Sequence, residues 1–207
     1  MFLEGKRIYL REVTQDDIGN MYHSWLADNE VTKNLECRYF PQSIDNIRAY
    51  VSSMKAPDNT LFAIIVKEAG DIHIGNIRLG PVSWQHRFAG IGLLIGNKQF
   101  WGKGYGTEAI SLVRDYAFGK LSLHKLTAGC YSCNLASVRA FEKAGFVREG
   151  LLRRQYYTEL GQRTDEVVLG CLADEYHIWN IFPTVSSTDY SFRLSPEAAA
   201  SIASQRE

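Results

Sequence analysis

Apolar and polar positions alternate along this chain with two periods, one suited to strands and one to helices. Arg7-Ile8-Tyr9-Leu10-Arg11 alternates and predicts a first strand. Thr14 with Asp17 three places on has the form of a helix N-terminal cap, and a helix is predicted through Met21 and Tyr22 to about Leu26. Residues 28–35 suit a short helix or loop, and Ser43 with Asp45 opens a further helix carrying Ile44, Ile47, Tyr50 and Val51. From Leu61 the pattern turns to strand: 61–66, 72–79 and 89–95, joined by turns with Gly or Asp, predict an antiparallel meander. There follow a helix over 107–119, a strand over 125–128, a helix over 135–144, and a hairpin of 151–157 and 165–172 turned at Leu160-Gly161-Gln162. That order predicts an α/β (α+β) fold, with a mixed, mostly antiparallel central sheet of about seven strands and helices on both faces. Residues 1–176 are expected to form one domain. Residues 177–207, with two prolines, several serines and an Ala-rich end, are expected to be a C-terminal appendage.

Composition narrows the function classes. The 207 residues carry 23 Lys plus Arg against 23 Asp plus Glu, which gives no overall electrostatic reason to expect nucleic acid or an anionic membrane as partner. No apolar run approaches the roughly 18 residues that span a bilayer, so the protein is expected to be cytoplasmic. The 4 cysteines are too few for a stapled secreted scaffold. Cys130-Tyr131-Ser132-Cys133 has C-x-x-C spacing, but Cys37 and Cys171 are isolated and supply no second close pair, so no metal is expected.

The chemistry concentrates at Trp101-Gly102-Lys103-Gly104-Tyr105-Gly106-Thr107, between a strand-like run (Gly90 to Gly96) and a helical run (Glu108 to Phe118). A strand that turns through glycines into a helix N-terminus aims several free backbone N–H groups at one place, and such a place binds anions. A phosphate loop of Walker type fails on spacing, since Gly104 follows Gly102-Lys103 and Gly96 stands one position too early. A dinucleotide fingerprint fails because Thr107 occupies the third glycine position. A bare surface turn and a coenzyme A pyrophosphate loop remain.

On two blocks, the chain resembles the GNAT superfamily of acyl-CoA N-acyltransferases over about residues 5–175. The first is Ile91-Gly92-Leu93-Leu94-Ile95-Gly96 with Trp101 to Ala109. The second is Asn134-Leu135-Ala136-Ser137 with Phe141-Glu142-Lys143-Ala144-Gly145-Phe146. The resemblance implies acetyl-CoA as acetyl donor, cradled by Gly102, Lys103, Gly104, Tyr105, Gly106 and Thr107. It implies a splayed strand whose Leu93, Leu94 and Ile95 bond the pantetheine arm. It further implies cofactor contacts at Asn134, Ser137, Phe141 and Lys143. Asn134 also suits a helix N-cap. Trp101 stands where many members have Gln or Arg, which is similar to the branch holding ribosomal-protein N-terminal and amino-sugar acetyltransferases. Phe141 stands where many members carry a tyrosine that protonates the departing thiolate, which leaves Ser137 or a water for that task.

Direct transfer to an amine also needs a proton acceptor. Glu30 and His86 are the candidates, and both also suit ordinary surface roles. His23, His73, His124 and His177 have no partner pattern. Trp84, Tyr39 and Phe40 could stack on a sugar ring or serve as lip aromatics. Residues 25–39 with 75–81 resemble GNAT members associated with amino-sugar acetylation, and the resemblance implies a small-molecule amine or amino-sugar nucleotide as acceptor. A protein N-terminal amine and a non-catalytic CoA-binding homologue are the alternatives, and a homodimer is left open.

Overall fold

The computed structural model describes residues 1–176, and the expected appendage at 177–207 lies outside them. One eight-stranded sheet runs through these residues in the order β1-β2-β3-β4-β5-β6-β8-β7. Its strands are β1 (Leu3–Glu4), β2 (Ile8–Glu12), β3 (Thr60–Val66), β4 (Ile72–Ser83), β5 (Phe88–Ile95), β6 (Lys125–Tyr131), β7 (Val147–Tyr157) and β8 (Arg163–Leu172). The helices are α1 (Asn20–Ala27), α2 (Asn29–Thr32), α3 (Ile44–Ser53), α4 (Tyr105–Gly119) and α5 (Leu135–Lys143). All pairings are antiparallel except β5 with β6. The parallel contact is where the chain crosses over through α4.

Because side chains alternate across a strand, the wholly apolar β3 feeds two cores. Phe62, Ile64 and Val66 join the larger one, in which Ala109, Ile110, Val113 and Ala117 of α4 and Val138 and Phe141 of α5 cover β2 to β6 and β8. Leu61, Ala63 and Ile65 join the smaller one, under Tyr22 and Trp25 of α1 and Ile47 and Val51 of α3. The smaller core reaches only as far as Leu94 of β5. Among the described residues, no helix covers the sheet beyond β5 on that side.

Local caps and glycines position the site. Ser43 caps α3 by accepting from Asn46 N, and Asp17 accepts from Thr14 N at 2.7 Å, as the cap spacing predicts, although the turn it opens is a short 3-10 segment before α1. The expected helix at 107–119 begins two residues earlier, at Tyr105, because Gly104 at φ +84° takes the cap position. Gly96 is required by packing, since a Cβ there would lie 2.0 Å from the ring of Trp25. No helix of the described residues is long and apolar enough to cross a membrane.

Candidate active site

Strand β5 pairs with β6 only at Phe88↔Lys125, Ala89↔Leu126 and Gly90↔Thr127. Beyond that point β5 continues against β4 to Ile95, while β6 continues against β8 to Tyr131. The sheet therefore splits, and the edges of two strands face a gap. The carbonyl of Leu94 lies against Gly75 of β4, so alternation turns the peptide groups of Leu93 and Ile95 toward the gap. Unpaired strand edges of this kind bind an extended amide-bearing chain as an added strand.

At the mouth of the gap sits the glycine turn. Gly102 and Gly104 adopt φ of +72° and +84°, values that a side chain disfavours. The first helical bond of α4 runs from Glu108 N to Gly104 O at 3.1 Å. Among the described residues no hydrogen bond takes the main-chain N–H of residues 104–107, while the turn at Trp101–Gly102 closes through Lys103 N. Free donors at the positive end of a 15-residue helix form an anion cradle.

A buttress behind the cradle escaped the sequence reading. Glu108 turns back to accept from Arg7 N at 2.8 Å and Arg7 Nε at 2.9 Å. Arg7 Nη1 donates to Lys103 O at 2.9 Å, and its guanidinium lies 4.6 Å from the Tyr105 ring centre. Tyr105 in turn donates to Glu68 at 2.8 Å. Arg7 thus fixes the loop and adds positive charge beside it. Trp101 Nε1 donates to Ile95 O at 2.7 Å, which ties the turn to the gap.

The second block lies across the gap. Asn134 caps α5, its Oδ1 accepting from Ser137 N at 3.3 Å. Ser137 Oγ stands 3.3 Å from Cys130 Sγ at the end of β6, and burial pushes that thiol's pKa up. Phe141, only 2% exposed, packs edge-on against Phe146 at 5.1 Å within the larger core, whereas Lys143 is exposed in the last turn of α5. Cys133 is exposed and nearest Asn34, so the C-x-x-C pair points two ways.

At the open end of β6, Tyr131 stacks on Tyr156 at 4.3 Å between ring centres. Tyr131 donates to Glu36, and burial together with that carboxylate holds its phenol protonated. Burial and the neighbouring Glu166 push the Tyr156 phenol up to about 12. Arg38 donates to the carbonyls of Lys33 and Tyr157, latching the 36–39 turn onto the β7–β8 hairpin.

The two candidate bases lie apart from one another. Glu30 is exposed and paired with Lys98 at 2.9 Å, alongside Asp28 at 2.8 Å, so it ties α2 to the segment after β5. His86 lies in the β4–β5 turn, where it stacks near Phe88 at the closed end of the split. Trp84 shares that closed end, while Tyr39 and Phe40 belong to the loop at the open end, so the three aromatics form no common platform.

The acetyltransferase (GNAT) domain model matches residues 7–147, which span the split, the cradle and α5. The chain belongs to the GNAT acetyltransferases. It is 32% identical over 170 residues to the probable N-acetyltransferase YjcK of Bacillus subtilis (strain 168), covering 73% of this chain and 87% of the relative. It is 29% identical over 174 residues to the SPbeta prophage-derived uncharacterized N-acetyltransferase YokL of the same organism, covering 84% and 94%. Among solved structures, spermidine N-acetyltransferase from Vibrio cholerae in complex with CoA and spermine shares the fold with a TM-score of 0.72 at 22% identity, covering 82% of this chain and 98% of that one. The GNAT acetyltransferase from Bacillus anthracis does so with a TM-score of 0.71 at 25% identity, covering 84% and 99%.

Proposed function

We propose that the protein transfers acetyl from acetyl-CoA directly to a primary amine of a small molecule. The observation that carries this reading is the split between β5 and β6 opening onto the unpartnered N–H groups of residues 104–107. The cradle suits a pyrophosphate, the peptide groups of Leu93 and Ile95 suit the amides of a pantetheine arm, and one such N–H can hold the thioester oxygen as it becomes an oxyanion. Asn134 already serves as a cap, so its further contact with the cofactor would use its remaining amide hydrogens. Phe141 lacks a hydroxyl and lies in the core, which leaves the Ser137 hydroxyl or a water to protonate the departing thiolate.

Small amines come first as acceptors because relatives that match part of the chain, such as the spermidine N(1)-acetyltransferase of Vibrio cholerae at 31% identity over 100 residues, act on one. An amino-sugar acceptor draws less support, since the aromatics that would stack on a sugar stand at opposite ends of the sheet. The test is release of free CoA thiol from acetyl-CoA over a panel of polyamines, amino sugars and peptides, with mass spectrometry of the products. Turnover is expected with at least one small amine and an acetyl group on its nitrogen. Turnover confined to peptide N-termini would replace the acceptor class, and binding of acetyl-CoA without turnover on any amine would contradict catalysis.

A further inference from the structure

The face of the split sheet that no helix of the described residues covers is floored by glycines. Strand alternation puts Gly90 and Gly92 of β5 on the face of Leu94, and puts Gly129 of β6 and Gly170 of β8 on the face of Tyr131 and Glu166. The opposite face is filled by α4 and α5. Among the described residues, the glycine-floored face is the one left open for an acceptor to reach a thioester lying in the gap.

Gly129 is the second β6 residue past the last β5–β6 pair. A Cβ at Gly129 would lie 2.0 Å from Glu166 Oε1, so the carboxylate lies over the strand at the rim of the gap, in space that any other residue would fill. Glycine inside a strand marks such a close approach. The neighbouring carboxylates are committed elsewhere: Glu149 pairs with Lys125 at 2.7 Å, Glu36 holds the Tyr131 hydroxyl, and Glu30 pairs with Lys98. Among the described residues Glu166 has no ion-pair partner, and it lies near enough to Tyr156 that burial and this carboxylate together push that phenol up to about 12. Its carboxylate keeps lone pairs for an incoming ammonium.

We propose that Glu166 is the catalytic residue that takes the proton of the acceptor ammonium, with Gly129 giving it room. This rests on the reading of the gap as the acetyl-CoA site. The ammonium N–H bond breaks and its proton passes to the Glu166 carboxylate. The freed nitrogen lone pair then forms a bond to the thioester carbon. When the C–S bond breaks its electron pair stays on sulfur, and the second nitrogen proton ends on that thiolate, giving free CoA and the amide. Glu166 returns its proton to solvent.

The test uses the full chain carrying Glu166→Gln, with acetyl-CoA affinity from calorimetry and kcat/KM for the best amine across pH. Unchanged acetyl-CoA affinity is expected, with kcat/KM lower by about 10²–10⁴-fold near neutral pH. That deficit should shrink as pH rises toward the pKa of the amine, where the neutral amine needs no base. Gly129→Ala, which crowds the carboxylate out, should reproduce the loss of turnover with affinity retained. Turnover of Glu166→Gln within about threefold of the parent at all pH values, with affinity intact, would overturn the assignment. A parent protein that fails to bind acetyl-CoA would instead overturn the donor reading on which it rests.

Discussion

Single residues do two separable jobs here, shaping the backbone and placing charge, and the sequence discloses them unequally. Gly102 and Gly104 were legible because a glycine-spaced turn before a helix has few purposes, and their positive φ values bear out the turn. The pairing of Arg7 with Glu108 was not legible, since 101 positions separate them and nothing local ties one to the other. The same holds for Glu166, whose one sequence trace is an isolated glycine at 129 inside a strand two positions short of its cross-strand partner Tyr131. Glu30 and His86 drew attention by residue type and loop position; Glu30 is held in an ion pair with Lys98, and His86 lies beside Phe88 at the closed end of the split. Glu108→Ala is expected to cost about 1–3 kcal/mol of stability, because Arg7 N loses its acceptor and the guanidinium its partner. It should also weaken acetyl-CoA binding, because Lys103 O loses its anchored neighbour. Urea denaturation and calorimetry on the one variant check both, and an unchanged midpoint would remove the buttress from the account.

At the scale of elements, the strands of the meander and the two crossover helices were legible from periodicity and caps. The differences fall where the backbone departs from a regular ladder. Strand β1 is two residues long, too short for a period to show. Strand β7 starts four residues before the expected 151, and its register shifts twice, with Arg154 at φ +56° donating its N–H to Asp165. Extra residues in one strand scramble the alternation that a sequence reading depends on. The predicted cap at Thr14 proved to be part of a larger junction, in which Asp17 also accepts from both ends of the Arg11 guanidinium at 2.7 Å, with His73 at 3.7 Å. Burial pushes the Asp17 pKa up, but Arg11 and Thr14 outweigh it and bring it down to about 2. A carboxylate with a depressed folded pKa stabilises fully above its unfolded value of about 3.9, and that contribution is lost as pH falls through the folded one. Asp17→Asn should therefore be less stable than the parent at neutral pH, with the gap in denaturation midpoint closing as pH falls from about 5 toward 2. A gap that stayed constant over that window would mean the ion pair contributes nothing.

The whole molecule is a sheet held together at one end and parted at the other, with its helices distributed to match. α4 and α5 seal one face across the split, α1 to α3 cover the other only as far as β5, and the uncovered remainder gives access to the gap. The chain order of the elements foretold a mixed sheet with helices on both faces. The extent of the split was not readable, because β5 and β6 are each apolar enough to pair along their full length, and their divergence is set by the different partners that β4 and β8 provide. The glycine turn proposed to hold the donor is local in the chain, while the proposed acceptor side depends on side chains brought together from distant segments. Everything turns on acetyl-CoA lying in that split with its pyrophosphate on the glycine turn. Titration calorimetry of acetyl-CoA into the parent and into Gly104→Glu tests this most directly, since the substitution strains a φ of +84° and puts a carboxylate at the cradle. Saturable binding by the parent and loss of binding by a folded Gly104→Glu protein is the predicted result. Equal affinity in the two proteins would contradict it.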